Sequence, residues 1–112
     1  MAGMSRDKGK RGEREVAEFM RNHGIPARRG VQYQGGPDSP DVVGLDGFHN
    51  EVKRTEKFRL YQALEQAMDE ARPGDIPAVW HRSNGRPWVV ILRADDFLVM
   101  VRALADLRER AA

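Results

Sequence analysis

The first part of the chain carries apolar residues at helical spacing. Val16, Ala17 and Met20 recur on one face, which predicts a helix from about Lys8 to His23. Glu13 lies three residues before Val16 and therefore shares this apolar face one turn earlier. The pattern places the Glu13 carboxylate at the rim of the core.

Two later segments have the same periodicity. An apolar stripe predicts a second helix over about residues 58–72. A third helix is predicted to begin near residue 94 or 95, with Phe97, Val101 and Leu104 on one face. This last stripe is expected to pack in the core, although it could extend into a dimer interface.

Short segments between the helices predict five strands, over residues 27–29, 41–44, 48–54, 78–82 and 88–92. Turn residues, among them Asp46-Gly47 and Asn84-Gly85, join the second strand to the third and the fourth to the fifth. The order α-β-β-β-α-β-β-α predicts an α/β or α+β fold with a mixed sheet.

The length of the first hairpin loop decides which side chains share a face. A two-residue loop, Asp46-Gly47, pairs Val42 with Glu51. Asp41 and Glu51 then lie on opposite faces. A three-residue loop instead brings Asp41 directly opposite Glu51 and puts Lys53 on the same face. A shared acidic site therefore requires the three-residue loop.

The segment from Gly30 to Pro40 reads GVQYQGGPDSP. Its glycines, prolines and small polar residues predict a mobile loop. The chain has 112 residues and is expected to form one domain over residues 1–112, with a loose, flexible start over residues 1–7.

The composition excludes several kinds of chemistry. The chain has no cysteine, which rules out disulfides, zinc–thiolate sites and thiol nucleophiles. It has no apolar run long enough to span a bilayer, and its charged N-terminus does not resemble a signal peptide. These features predict a cytoplasmic protein with no membrane partner.

Basic charge is concentrated near the start of the chain. The net charge is only +2, but residues 1–34 hold eight basic and four acidic residues. This concentration suits a phosphate backbone as partner. A solvated helix face with a frayed basic tail would give the same pattern, so both interpretations stay open.

Three carboxylates and a lysine have the chemistry of metal-dependent phosphodiester cleavage. Mg²⁺ prefers hard oxygen ligands, and a bound divalent cation polarises a phosphoryl oxygen and activates water. Asp41, Glu51 and the main-chain carbonyl of Val52 are the predicted ligands. Lys53 would orient the attacking water or stabilise charge on the phosphoryl oxygens. Glu13 could reach the same metal through a water.

These residues carry a family resemblance. Pro40-Asp41 followed by Glu51-Val52-Lys53, with a helical glutamate before them, resembles the PD-(D/E)xK nuclease superfamily. Within it, the chain is most similar to the archaeal-type Holliday junction resolvases and their phage relatives. Those proteins open with a Lys-Gly segment that leads into a helical Glu-Arg, as Lys8-Gly9 leads here into Glu13-Arg14-Glu15. The alternative Pro37-Asp38 is not followed by a strand.

The resemblance implies a restriction-endonuclease-like fold and a homodimer that cuts branched DNA at four-way junctions. It implies Mg²⁺ as cofactor, with Mn²⁺ as a substitute, and no small-molecule cofactor. It also implies an arginine on the first strand, Arg29 or alternatively Arg28, and a hydroxyl in the loop, Ser39. The full set of predicted DNA contacts is Lys8, Lys10, Arg11, Arg14, Arg28, Arg29, Tyr33 and Ser39.

Several side chains have roles that the sequence leaves open. Gln62 and Gln66 lie one turn apart on the second helix and could reach the substrate, or simply be solvated. His49 lies near the predicted metal face, but it is interpreted as incidental because the histidines lack metal-ligand spacing. Glu15 and Glu18 are predicted to be solvated.

The sequence leaves three possible functions open. The core motif fits a junction-selective endonuclease and a nuclease of the same superfamily without junction preference. A non-catalytic nucleic-acid-binding protein of the same fold is the third possibility. Against it stands the complete set of carboxylates and lysine, because a pure binder does not need carboxylates close to phosphate.

Overall fold

The computed structural model describes residues 2–30 and 40–112, with side chains from residue 9 onward. The elements follow the predicted order: α1 Ala2–Asn22, β1 Arg28–Arg29, β2 Val42–Val43, β3 Phe48–Arg54, α2 Leu60–Glu70, β4 Ile76–Arg82, β5 Val89–Ile91 and α3 Ala94–Ala111. Tyr33, Ser39 and the side chain of Lys8 lie outside the described residues, as does most of the predicted loop.

The largest difference from the predicted bounds is the start of α1. The helix begins at Ala2, six residues earlier than predicted and within the segment interpreted as a loose start. Alanine, methionine and arginine in that segment are strong helix formers, and it contains no proline that would stop a helix.

The five strands form one sheet in the order β1-β2-β3-β4-β5. Strands β3 and β4 are parallel, and the other neighbouring pairs are antiparallel. The predicted α/β class, with a mixed sheet flanked by helices as in restriction endonucleases, is therefore confirmed.

The two faces of the sheet carry separate apolar clusters. On one face, Val16 and Met20 of α1 pack with Val52 of β3. On the other, α2 packs through Ala67 against Val79 of β4. Because Glu51 is the register neighbour of Val79, it belongs to the face that α2 covers.

Helix α3 does not follow the prediction that its apolar stripe packs in the core. Phe97, Val101 and Leu104 are 54%, 43% and 49% exposed. None of the residues of α3 is buried by the parts of the chain that the structure describes. The reason is that α1 and α2 already occupy the two faces of the sheet.

The first hairpin has the register of the three-residue loop, which a shared acidic site requires, and residues 44–47 separate β2 from β3. Val42 pairs with Asn50, a register that places Asp41 opposite Glu51. Gly47 has a φ of +85°, the left-handed conformation that ends such a loop. The two-residue alternative is thereby excluded.

Gly44 is expected to tolerate no side chain. Its φ is +105°, and a Cβ there would overlap the carbonyl oxygen of Pro26 and lie 2.8 Å from the Cα of Ala27. Backbone strain and overlap together should make Gly44→Ala destabilising by about 3 kcal/mol or more in urea unfolding.

Gly85→Ala is the matched control for this substitution. Gly85 has a φ of +74°, but its Cβ would meet no atom within 4 Å among the described residues. Only the conformational cost of ~1 kcal/mol is then expected. Equal losses in the two variants would contradict the close approach of Gly44 to Pro26.

Candidate functional site

Asp41 and Glu51 meet where β2 joins β3. The Asp41 backbone N–H donates to the Asn50 carbonyl at 2.9 Å, which holds Asp41 beside β3. The Val52 N–H donates to Asp41 Oδ2 at 2.8 Å and fixes this carboxylate. In an extended strand the N–H and C=O of one residue point to the same edge, so the Val52 carbonyl also points towards β2.

Glu51 is buried among other acidic groups. Its side chain lies under α2, and the residue is 2% exposed. Burial raises the pKa of Glu51 to about 10, with further increases from the Asp41 charge and from hydrogen bonding to Glu70 and Asp41. Three carboxylates therefore share a region where negative charge is costly, which favours a bound cation or a bound proton.

Glu13 joins the same electrostatic neighbourhood from α1. Burial and then the charge of Asp41 raise its pKa, while Arg29 and Lys10 lower it. Arg29 Nε donates to Glu13 Oε1 at 3.3 Å. Of the two candidate arginines on β1, Arg29 contacts a site carboxylate, and Arg28 is exposed.

Lys53 is held by α2. Its Nζ donates to Gln66 Oε1 at 2.9 Å, and Gln66 Nε2 donates to Glu70 Oε1 at 3.3 Å. Gln66, whose role the sequence left open, thus connects the lysine to the acidic cluster. Gln62 lies beside them without a comparable bond to the site in the described structure.

His49 is the main residue that the sequence interpretation missed. It is 2% exposed, and its Nε2 lies 2.6 Å from Glu51 Oε1 and 3.8 Å from Glu70 Oε2. The interpretation of His49 as incidental is therefore wrong. The sequence could have indicated this contact, because His49 lies two residues before Glu51 on the same strand and alternate residues of a strand share a face. Nothing in the sequence pattern points to Glu70.

Glu15 is a second correction. It was predicted to be solvated, but its Oε2 accepts from Arg82 Nη1 at 3.0 Å and lies 3.6 Å from Arg54 Nε. The cause is the close approach of α1 to β3 at Gly12, where a Cβ would be only 2.7 Å from that of Arg54. Glu15 therefore ties α1 to the sheet.

A cleft of about 230 Å³ opens beside Lys53, between the end of β3 and the start of α2. Its lining includes the cations Lys57 and Arg59. Phe58, which also lines it, stacks on His81 with ring centroids 3.8 Å apart. Positive charge thus continues from Lys53 away from the carboxylates.

The basic residues predicted to contact DNA are only partly described. Lys10, Arg11 and Arg14 are exposed on α1, the helix that carries Glu13. Because Lys10 lowers the pKa of Glu13, its charge acts at the site itself. These positions leave the three side chains accessible to a polyanion.

The donor set at the junction of β2, β3 and α2 fits a divalent cation. Carboxylates from Asp41 and Glu51 converge with the edge that carries the Val52 carbonyl. Hard oxygens of this kind are the ligands that Mg²⁺ takes in proteins. Ligating atoms of His49, Glu51 and Glu70 also lie within 4.8 Å of one another.

Comparison with known protein families identifies the family of this chain. A family model described as archaeal Holliday junction resolvase matches residues 4–109. No curated protein and no solved structure matches the chain. Separately, no helix within residues 2–30 and 40–112 is long and apolar enough to cross a membrane.

Proposed function

We propose that this chain, which belongs to the archaeal Holliday junction resolvase family of PD-(D/E)xK nucleases, cleaves four-way DNA junctions in a reaction that requires Mg²⁺. The observation that supports the catalytic part is the register of the first hairpin. It sets Asp41 opposite Glu51, with Lys53 one side-chain repeat along the same face.

Asp41, Glu51 and the Val52 carbonyl would hold the metal ion, for which Mn²⁺ would substitute. When bound, the ion polarises a phosphoryl oxygen and lowers the pKa of a coordinated water. Asp41 is oriented for this role by the Val52 N–H, and Glu51 by the packing of α2 over β3.

Lys53 and Arg29 would act on the phosphate. Gln66 holds the Lys53 ammonium 2.9 Å from its amide oxygen, at the mouth of the basic cleft. From there Lys53 can stabilise charge on a phosphoryl oxygen or orient the attacking water. Glu13 holds Arg29 beside the carboxylates, where its guanidinium can contact a phosphate.

DNA binding would use the exposed cations on both sides of the site. Lys10, Arg11 and Arg14 project from α1. The cleft with Lys57 and Arg59 gives the backbone of the cut strand a path away from the carboxylates. Lys8, Arg28, Tyr33 and Ser39 stay in the proposed contact set.

A gel assay tests the proposal. Labelled four-way junction, duplex and single strands are each incubated with Mg²⁺ or with chelator. Paired, symmetric cuts in the junction alone, lost with chelator, are expected. Metal-dependent cutting of all substrates would instead indicate a nuclease without junction preference. Binding without any cutting would indicate a non-catalytic protein of this fold.

Homodimer formation is part of the proposal, since two equivalent sites can reach two matched strands of a two-fold junction. The exposed stripe of α3, formed by Phe97, Val101 and Leu104, is the proposed contact. Helix α3 has Asp95 in its first turn and Arg108 in its last. Antiparallel pairing of two copies would bring these opposite charges together.

Leu104→Glu should therefore give a monomer in sedimentation velocity, because it puts a charge within the apolar stripe. Junction cuts should become single and unpaired. Val99→Glu is the control, since Val99 lies on the opposite side of α3 and is 62% exposed. A dimer that persists in Leu104→Glu would exclude α3 as the contact.

A further inference from the structure

The imidazole of His49 lies within an acidic cluster rather than in an apolar core. His49 Nε2 is 2.6 Å from Glu51 Oε1 and 3.8 Å from Glu70 Oε2. His49 and Glu51 are each 2% exposed, while the Glu70 side chain is 23% exposed and closes the cluster from α2. A nitrogen and two carboxylates thus converge at one enclosed point.

Two cations near the cluster have other partners. Lys53 donates to Gln66, and Arg29 donates to Glu13. The Glu51 carboxyl group is left between two more acidic groups, Asp41 and Glu70, and burial together with these neighbours raises its pKa. A buried cluster of carboxylates is stabilised when a cation binds among them.

We propose that His49, Glu51 and Glu70 hold a divalent transition-metal ion, at a position next to the ion held by Asp41 and Glu51. The inference rests on the proposed function only through the shared Glu51. The two ions would be bridged by its carboxylate, an arrangement that two-metal sites adopt at a separation of roughly 4 Å.

The spacing of the three groups fits one small ion. Ligands of such an ion lie roughly 3 Å apart at right angles and about 4 Å apart when opposite. The ligating atoms here lie within 4.8 Å of one another, so small side-chain rotations suffice. The ion would replace the hydrogen bond that joins His49 to Glu51.

The nitrogen ligand sets the preferred metal. Imidazole favours first-row transition ions, whereas Mg²⁺ favours oxygen donors alone. The position between His49 and Glu70 should therefore take Mn²⁺ over Mg²⁺. The position at Asp41, made of oxygen donors, should accept both.

Pulsed electron paramagnetic resonance on Mn²⁺-loaded protein, without DNA, tests the inference. Wild-type protein is expected to bind two Mn²⁺ ions and to show ¹⁴N modulation from a coordinated imidazole. His49→Gln should abolish the modulation and lower the affinity for one of the two ions at least ~10-fold. His23→Gln, which changes an exposed histidine at the end of α1, should leave the spectrum unchanged.

Two further variants separate the sites. Asp41→Asn should lose one ion and keep the ¹⁴N modulation, and Glu70→Gln should weaken the modulated ion. If His49→Gln does not fold, the spectra of wild-type protein and of Glu70→Gln still test the inference. Wild-type Mn²⁺ without ¹⁴N modulation would overturn the inference and show that His49 only orients Glu51.

The inference and the proposed function fail separately. Metal-dependent junction cleavage by wild-type protein that shows no ¹⁴N modulation would leave the function standing without this metal position. ¹⁴N modulation in a protein that cuts no DNA would support the metal position and count against the function.

Discussion

Asp41→Asn is expected to abolish junction cleavage while leaving junction binding intact. Asparagine keeps the shape of the side chain, and its Oδ1 can still accept from the Val52 N–H now 2.8 Å from Oδ2. The charged metal ligand is lost, which should lower the cleavage rate at least about a thousandfold. Rates come from single-turnover assays and binding from anisotropy with chelator present.

Asp46→Asn is the control for that experiment. Asp46 is an exposed carboxylate in the turn of the same hairpin, so its loss changes the charge without touching the proposed ligands. It should cleave like wild type. Normal cleavage by Asp41→Asn would remove Asp41 from the site and, with it, the assignment of the Pro40-Asp41 motif.

Glu51→Gln should stabilise the metal-free protein at alkaline pH. The pKa of Glu51 is about 10 in the folded protein, against an ordinary value of 4.5. Between these values the folded state binds more protons than the unfolded state, so the free energy of unfolding falls as pH rises. The stability is fully present below about pH 4.5 and is lost as pH rises through the folded pKa.

Urea unfolding with chelator at pH 5, 7 and 9 measures this effect. Glutamine resembles the protonated acid, so the variant should match wild type near pH 5 and exceed it by at least about 2 kcal/mol at pH 9. Saturating Mg²⁺ should restore wild-type stability at pH 9 and do little for Glu51→Gln. The same variant should not cleave DNA.

Glu65→Gln controls for a general loss of negative charge. Glu65 is exposed on α2, on a different side of the helix from Glu70, and its substitution should leave the slope of stability against pH as in wild type. Parallel curves for Glu51→Gln and wild type would mean that Glu51 is not held protonated in the metal-free fold.

The part of the site that lies on one hairpin was accessible from the sequence. Strand periodicity put Glu51 and Lys53 on one face, and the Asp46-Gly47 turn limited the register to two choices. Gly47 can adopt the left-handed φ that both registers require, so it did not decide between them. The observed pairing of Val42 with Asn50 selects the register that joins Asp41 to Glu51.

Contacts made across the sheet and helix layers were not accessible in the same way. Glu70 and Gln66 reach the site only because α2 lies over β3, and no local pattern records which helical residues will face a given strand residue. The spacing of the histidines along the sequence gives no sign of a metal site at His49. Glu70, which approaches His49 and makes a metal site possible there, is on a different element, α2.

The exposure of α3 shows a further limit of sequence patterns. An apolar stripe such as Phe97, Val101 and Leu104 looks the same whether it packs inside its own chain or against another. Only the observation that α1 and α2 already cover the sheet distinguishes the two cases. The pattern alone favoured the core, which was wrong.

Cleavage of a supercoiled plasmid that extrudes a cruciform tests the central claim most directly, because paired cuts at the junction convert it to a linear form within one binding event. With Mg²⁺, we expect linear product without a build-up of nicked circle, no product from a plasmid lacking the cruciform, and no product from Asp41→Asn. Equal cutting of both plasmids, or cutting that persists with chelator, would contradict a metal-dependent junction resolvase.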